Sequence, residues 1–122
     1  MQSNGRVVLV EPDDLICGLL EQWLTEAGYA TASQTLAAFA EREIGAVPPR
    51  LVIADIPSLD SGTVIVDRIR QTYSGPLLLL SARFRCGLGS SRTAACRFGV
   101  RKVLPKPFAR DELLQAVKEA IG

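Results

Sequence analysis

In open α/β sheets, ligands gather outside the carboxyl ends of the strands. The residues that close each short apolar run are therefore the first to weigh for chemistry. Glu11 and Asp13 follow Val7-Val8-Leu9-Val10, and Asp55 follows Leu51-Val52-Ile53-Ala54. Ser81 follows Leu77-Leu78-Leu79-Leu80, and Lys106 follows Lys102-Val103-Leu104-Pro105. A carboxylate can attack phosphorus, an ammonium can neutralise phosphoryl oxygens, and a hydroxyl can bind one of them. Magnesium normally sits between such acids and the phosphoryl group. An aspartate at a strand end is by itself usually a turn or cap residue; the convergence of two acidic ends, a hydroxyl and an ammonium is what suits phosphoryl chemistry.

The elements that must position these groups alternate along the chain. Runs at 7–10, 51–54 and 77–80 are continuously apolar, as strands buried on both faces of a parallel sheet are. Ala30-Thr31-Ala32 is a weaker strand and Lys102-Val103-Leu104 the last one. Between them, Leu15, Ile16, Leu19, Leu20, Trp23, Leu24 and Ala27 recur at helical spacing, with Asp13 or Asp14 as cap and Gly28 as the terminating glycine. Further helices are predicted at 36–44, 64–71, 93–98 and 110–121. Five strands alternating with five helices describe an α/β domain, a doubly wound five-stranded parallel sheet of flavodoxin-like architecture. No linker, repeat or low-complexity stretch interrupts 1–122, so one domain without a separate output module is expected.

Composition narrows the function classes. The chain has 122 residues, 48% hydrophobic and 22% charged, the profile of a globular domain rather than a disordered or collagen-like one. A net charge of +1 gives no strong overall field toward nucleic acid or membrane. The apolar runs are strand-sized, far short of the roughly 20 residues of a membrane span. The N-terminus lacks an apolar signal core, so a cytoplasmic location is expected. Cys17, Cys86 and Cys96 read as free thiols in a reducing compartment, and no disulfide framework or metal site is expected of them. The absence of histidine removes His-based triads, His general bases and the commonest zinc sites. Gly87-Leu88-Gly89-Ser90-Ser91 lacks the Lys-Ser/Thr ending of a phosphate loop and reads as a flexible loop.

Taken in order, Val7 to Glu11, Gly28-Tyr29, Leu51 to Asp55, Ile69-Arg70, Leu80-Ser81-Ala82, Gly99 and Lys106-Pro107-Phe108 resemble the receiver domains of two-component response regulators. The resemblance covers nearly the whole chain. It implies that Asp55 is the aspartate phosphorylated by a histidine kinase or phosphotransfer partner. Ser81 becomes the switch hydroxyl and Lys106 the phosphoryl-binding cation, with a cis peptide before Pro107. Magnesium would be held by Glu11, by the backbone carbonyl of Pro57 and, after a local backbone change, by Asp13.

Several departures bear on that site. The family places two adjacent acids after the first strand, whereas this chain has Glu11-Pro12, and proline offers no side-chain oxygen. Seven positions separate Asp55 from Gly62, one fewer than the family pattern. The usual aromatic switch position is Val103. Fewer negative ligands mean weaker affinity for a hard cation, so reduced magnesium binding and slow phosphorylation are expected.

Charge is unevenly spread. Seven basic residues and no acid lie between Arg83 and Lys106. Arg92, Arg97, Arg101 and Lys102 would place this charge on the predicted fourth helix and last strand, a face for a downstream acidic protein or a second copy. No aromatic interleaving accompanies the charge, which disfavours nucleic acid. The leading reading is a single-domain receiver signalling by a surface change. The alternative is a degenerate receiver acting as a phosphorylation-independent interaction module. A flavodoxin-like cofactor binder shares the architecture but lacks aromatic flanks or a phosphate cradle at its strand ends.

Overall fold

The structure is a computed structural model and describes residues 5–40, 48–56, 59–81, 99–106 and 108–121. Strands β1 (Arg6–Val10), β2 (Ala30–Ser33), β3 (Leu51–Asp55), β4 (Leu77–Ser81) and β5 (Lys102–Pro105) form one sheet in the order β2-β1-β3-β4-β5. Every neighbouring pair is parallel. The described helices are α1 (Asp14–Glu26), α2 (Leu36–Ala40), α3 (Leu59–Arg70) and α4 (Arg110–Ile121). The helix predicted at 93–98, the glycine-rich loop, Cys86 and Cys96 lie outside the described residues.

The continuous apolar runs work because successive strand residues feed opposite layers. Val7, Leu9, Leu51, Ile53, Leu78 and Leu80 pack with α1 and α4, through Leu20, Leu24, Leu113 and Val117 among others. Val8, Val10, Val52, Ala54, Leu77 and Leu79 pack on the other side with Phe39, Val66, Ile69 and Tyr73. A fully buried leucine contributes roughly 1.5–3 kcal/mol, and all four leucines of β4 are completely buried. Strand β2 alternates weakly and stays half-exposed at the sheet edge.

Helix α1 rests on a different stripe from the one its leucines suggest. Leu15 is 82% and Leu19 46% exposed, whereas Cys17 is buried with Leu20 and Leu24. The sequence offers apolar residues nearly all round this helix, so spacing alone leaves its phase open. Positions 17, 20 and 24 are the set that fits the sheet, and Cys17 belongs to the core. The helix ends at Gly28, whose φ of 96° favours glycine. There the Gly28 N–H donates to Thr25 O and the Tyr29 N–H to Leu24 O, both at 3.0 Å, closing the paired turn of a Schellman motif.

Helix α3 begins at Leu59, five residues before the predicted start at 64. Its first turn reads Asp60-Ser61-Gly62-Thr63, residues of modest helix propensity that hide it from a periodicity search. Below the sheet, the turn after α3 is fixed by Arg70 Nη1 donating to Gly75 O at 2.6 Å and by the Tyr73 hydroxyl donating to Pro49 O and Pro76 O. A Cβ on Gly75 would come within 2.5 Å of that hydroxyl.

Candidate functional site

The carboxyl ends of β1 and β3 and the residue after β5 meet above the sheet. Lys106 Nζ lies 2.6 Å from Asp55 Oδ1 and 3.1 Å from Glu11 Oε1. The Glu11 side chain is 1% exposed, against 15% for Asp55 and 17% for Lys106. The chain aims the ammonium by continuing the β5 ladder one residue further, the Lys106 N–H donating to Ser81 O at 2.9 Å. Ser81 closes β4 opposite Pro105 and is completely buried. Three of the strand-end groups singled out from sequence are thus in direct contact, and Ser81 is tied to the third through its carbonyl.

Asp13 does a different job. Its Oδ1 accepts from the Leu15 and Ile16 N–H groups at 2.9 and 3.1 Å, capping α1. Its own N–H donates to Glu11 Oε2 at 3.2 Å. Glu11 therefore has one oxygen on the Asp13 backbone and the other on Lys106. Burial pushes the Glu11 carboxyl above its ordinary range. The Asp13 N–H and Lys106 draw it partly back, while the Asp55 charge adds to the rise. For Lys106 burial acts downward, but the hydrogen bonds and charges of Asp55 and Glu11 outweigh it and hold the ammonium above the usual lysine range.

Beside this cluster opens a cavity of about 490 Å³, walled by Val10, Glu11, Asp14, Ser33, Asp55 and Ile65 among others. Sequence reading passed over the Ser33 end of β2 because that strand looked weak. Applying the strand-end rule to it as well would have found this wall. Cys17 also borders the cavity. Burial raises its thiol pKa, a hydrogen bond with Ser33 opposes this, and the charges of Glu21, Glu11 and Asp14 add to it. A thiol so held is poorly nucleophilic.

The magnesium expectation fares poorly on these groups. Pro12 is exposed and carries no oxygen donor in its side chain. Asp13 is committed to the helix cap, and Glu11 and Asp55 already bond the same ammonium. Among the described residues no cluster of three or more acids, cysteines or histidines could hold a metal ion. Pro57 and the peptide before Pro107 lie outside the described residues. The set does not fit a divalent ion held by carboxylates.

Of the expected basic face, Arg92 and Arg97 lie outside the described residues. Arg101 is exposed and donates to Ala120 O at 3.5 Å, near the C-terminus of α4. Lys102 pairs with Glu119 at 2.7 Å. Val103 is completely buried against the α3 layer. Among the described residues no helix is long and apolar enough to cross a membrane.

Known proteins place the fold and cluster in context. The family "Response regulator receiver domain" matches residues 7–118. Protein PetR of Rhodobacter capsulatus is 32% identical over 114 residues, covering 92% of this chain and 46% of PetR. A putative response regulator from Chloroflexus aurantiacus superposes with a TM-score of 0.76 at 28% identity, over 96% of this chain and 97% of that one. The receiver domain of the sensor histidine kinase PA1611 of Pseudomonas aeruginosa, with a magnesium ion coordinated in its active site cleft, shares the fold. Its TM-score is 0.73 at 21% identity, over 98% of this chain and 99% of that one. The chain spans about half the length of the curated relatives it matches. A parallel sheet in this strand order and a family match along nearly its whole length lead to one conclusion: the chain belongs to the response regulator receiver domains of two-component systems, signalling modules rather than classical enzymes.

Proposed function

We propose that Asp55 accepts a phosphoryl group from a histidine kinase or phosphotransfer protein, and that the domain passes this state on through its surface. The observation that carries the reading is the ammonium of Lys106 bridging Asp55 and Glu11. A cation already seated on the acceptor carboxylate is placed to follow the incoming phosphoryl oxygens. In the step, one Asp55 oxygen bonds to phosphorus as the phosphorus–nitrogen bond of a phosphohistidine breaks. The electron pair stays on the imidazole nitrogen, which takes up a proton. Asp55 becomes an acyl phosphate, and the ammonium shifts its hydrogen bond from carboxylate to phosphoryl oxygen. Ser81, at the neighbouring strand end, is assigned the hydroxyl that binds a second oxygen.

One ammonium offsets only part of a dianion beside Glu11, so acceptance is slow. A downstream protein or a second copy would read the change at the basic residues Arg101 and Lys102, at the start of β5. Pro12, in place of an acid, favours the second reading, an interaction module that is never phosphorylated. Intact-mass spectrometry after incubation with acetyl phosphate separates the two. The expected result is slow gain of one phosphoryl group, abolished in Asp55→Asn. No gain at any time, or equal gain in Asp55→Asn, would refute the assignment.

A further inference from the structure

The pocket's charge is arranged around an amine where a divalent ion is expected. Glu11 has both oxygens engaged, one by the Asp13 N–H at 3.2 Å and one by Lys106 at 3.1 Å. Asp55 Oδ1 meets the same ammonium at 2.6 Å. The acid that the sequence offers as a further ligand, Asp13, holds two N–H groups of α1. Losing it from that role costs the helix its cap. Pro12, between the two acids, fixes the backbone dihedral φ and brings no oxygen.

With Glu11 and Asp55 ionised and Lys106 protonated, the three groups carry one net negative charge. Magnesium at the same carboxylates would overcompensate that charge and sit beside an ammonium that is only partly exposed. Two like-signed ions a few ångströms apart in a partly buried crevice repel one another strongly. The ion demands near-octahedral oxygen geometry and gives up its water reluctantly.

We infer that this receiver engages a phosphoryl group with Lys106 as its working cation and without a divalent metal ion. The inference rests on the phosphoacceptor reading above but concerns only which cation serves it. It also gives Pro12 a defined consequence, because restoring an acid at that position should restore the metal.

The test uses the whole chain and two probes, magnesium chloride alone and beryllofluoride made from beryllium chloride and sodium fluoride. Amide NMR shifts near Glu11, Asp55 and Lys106 are one readout. The fluorescence of Trp23, the single tryptophan, is the other; its ring lies 6.4 Å from Phe108, two residues beyond Lys106. Magnesium chloride up to tens of millimolar should leave these signals unchanged. Beryllofluoride should shift them with the same midpoint, within about twofold, in EDTA and in magnesium. Pro12→Asp should acquire a saturable magnesium response and a beryllofluoride midpoint lowered at least about tenfold by the ion.

Saturable magnesium shifts at Glu11 and Asp55 in the natural chain, or a beryllofluoride response that needs magnesium, would overturn the inference. If Pro12→Asp does not fold by circular dichroism, the arms on the natural chain decide the matter. Silence toward beryllofluoride in every condition removes the phosphoacceptor reading instead, and magnesium chloride alone still decides whether the pocket takes the ion.

Discussion

Replacing Lys106 by methionine isolates the ammonium from its stem, because methionine fills nearly the same volume without charge. Breaking a buried ion pair from one side costs about 3–5 kcal/mol when the remaining charge has no escape. Here Asp55 and Lys106 retain some solvent, at 15% and 17% exposure, and Glu11 can escape by taking a proton. A loss of about 2–3 kcal/mol near neutral pH follows. The pH dependence has a definite sign. Removing Lys106 deletes two influences that lower the Glu11 pKa and leaves only the Asp13 N–H against burial and the Asp55 charge, so the pKa rises further. The folded variant then binds a proton that its unfolded state does not, so its stability recovers as the solution is acidified. The deficit relative to the natural chain should therefore shrink between neutral pH and the ordinary glutamate range. Urea unfolding followed by Trp23 fluorescence at the two ends of that interval measures this. A deficit that does not change with pH, or that persists undiminished in Glu11→Gln/Lys106→Met, would show that packing and not charge pairing accounts for the loss.

Three further outcomes follow from the same geometry. Glu11→Gln should be as stable as the natural chain near neutral pH or slightly more so. A raised carboxyl pKa means that the ionised form is disfavoured on folding, a cost that grows as pH rises from the ordinary glutamate range through the folded value; a loss above about 1 kcal/mol in urea titrations contradicts it. Asp13→Ala should cost about 1 kcal/mol through the α1 cap and leave the beryllofluoride midpoint unchanged, since the N–H that holds Glu11 is backbone; a changed midpoint in NMR titration places Asp13 in the pocket after all. Alkaline unfolding of the natural chain should begin as pH passes the raised pKa of Lys106, above about 10.4, with the contribution fully present below that. In Lys106→Met this part of the transition should vanish, as circular dichroism against pH will report.

The architecture was legible because its signal is redundant. Three apolar runs of strand length, each closed by a polar residue, leave few alternatives to a parallel sheet covered on both faces, and β1, β3 and β4 match those runs nearly residue for residue. Glu11, Asp55 and Lys106 could be singled out for the same reason: a strand end is a defined place, and three of them converge. What sequence left open is what depends on rotation and on single hydrogen bonds. The phase of α1 was ambiguous because Leu15, Leu19, Leu20 and Leu24 satisfy two neighbouring stripes, and only packing against β1 and β3 selects Cys17, Leu20 and Leu24. The start of α3 was hidden by Ser61 and Gly62. Asp13 could be read as cap or ligand, and the choice turns on the position of one oxygen relative to two backbone N–H groups.

The register of the central strands gives the charged cluster a second consequence. A one-residue slip of β4 along β3 would exchange leucine for leucine over most of Leu77–Ser81, and both sides of the sheet are oily, so hydrophobicity penalises such an error only weakly. The polar termini are not interchangeable in this way. A slipped β3 or β5 would part Asp55 from its cation and strand ionised groups in a nonpolar setting. The charged residues at the strand ends therefore favour the native register, and variants that neutralise several of them together should misalign strands.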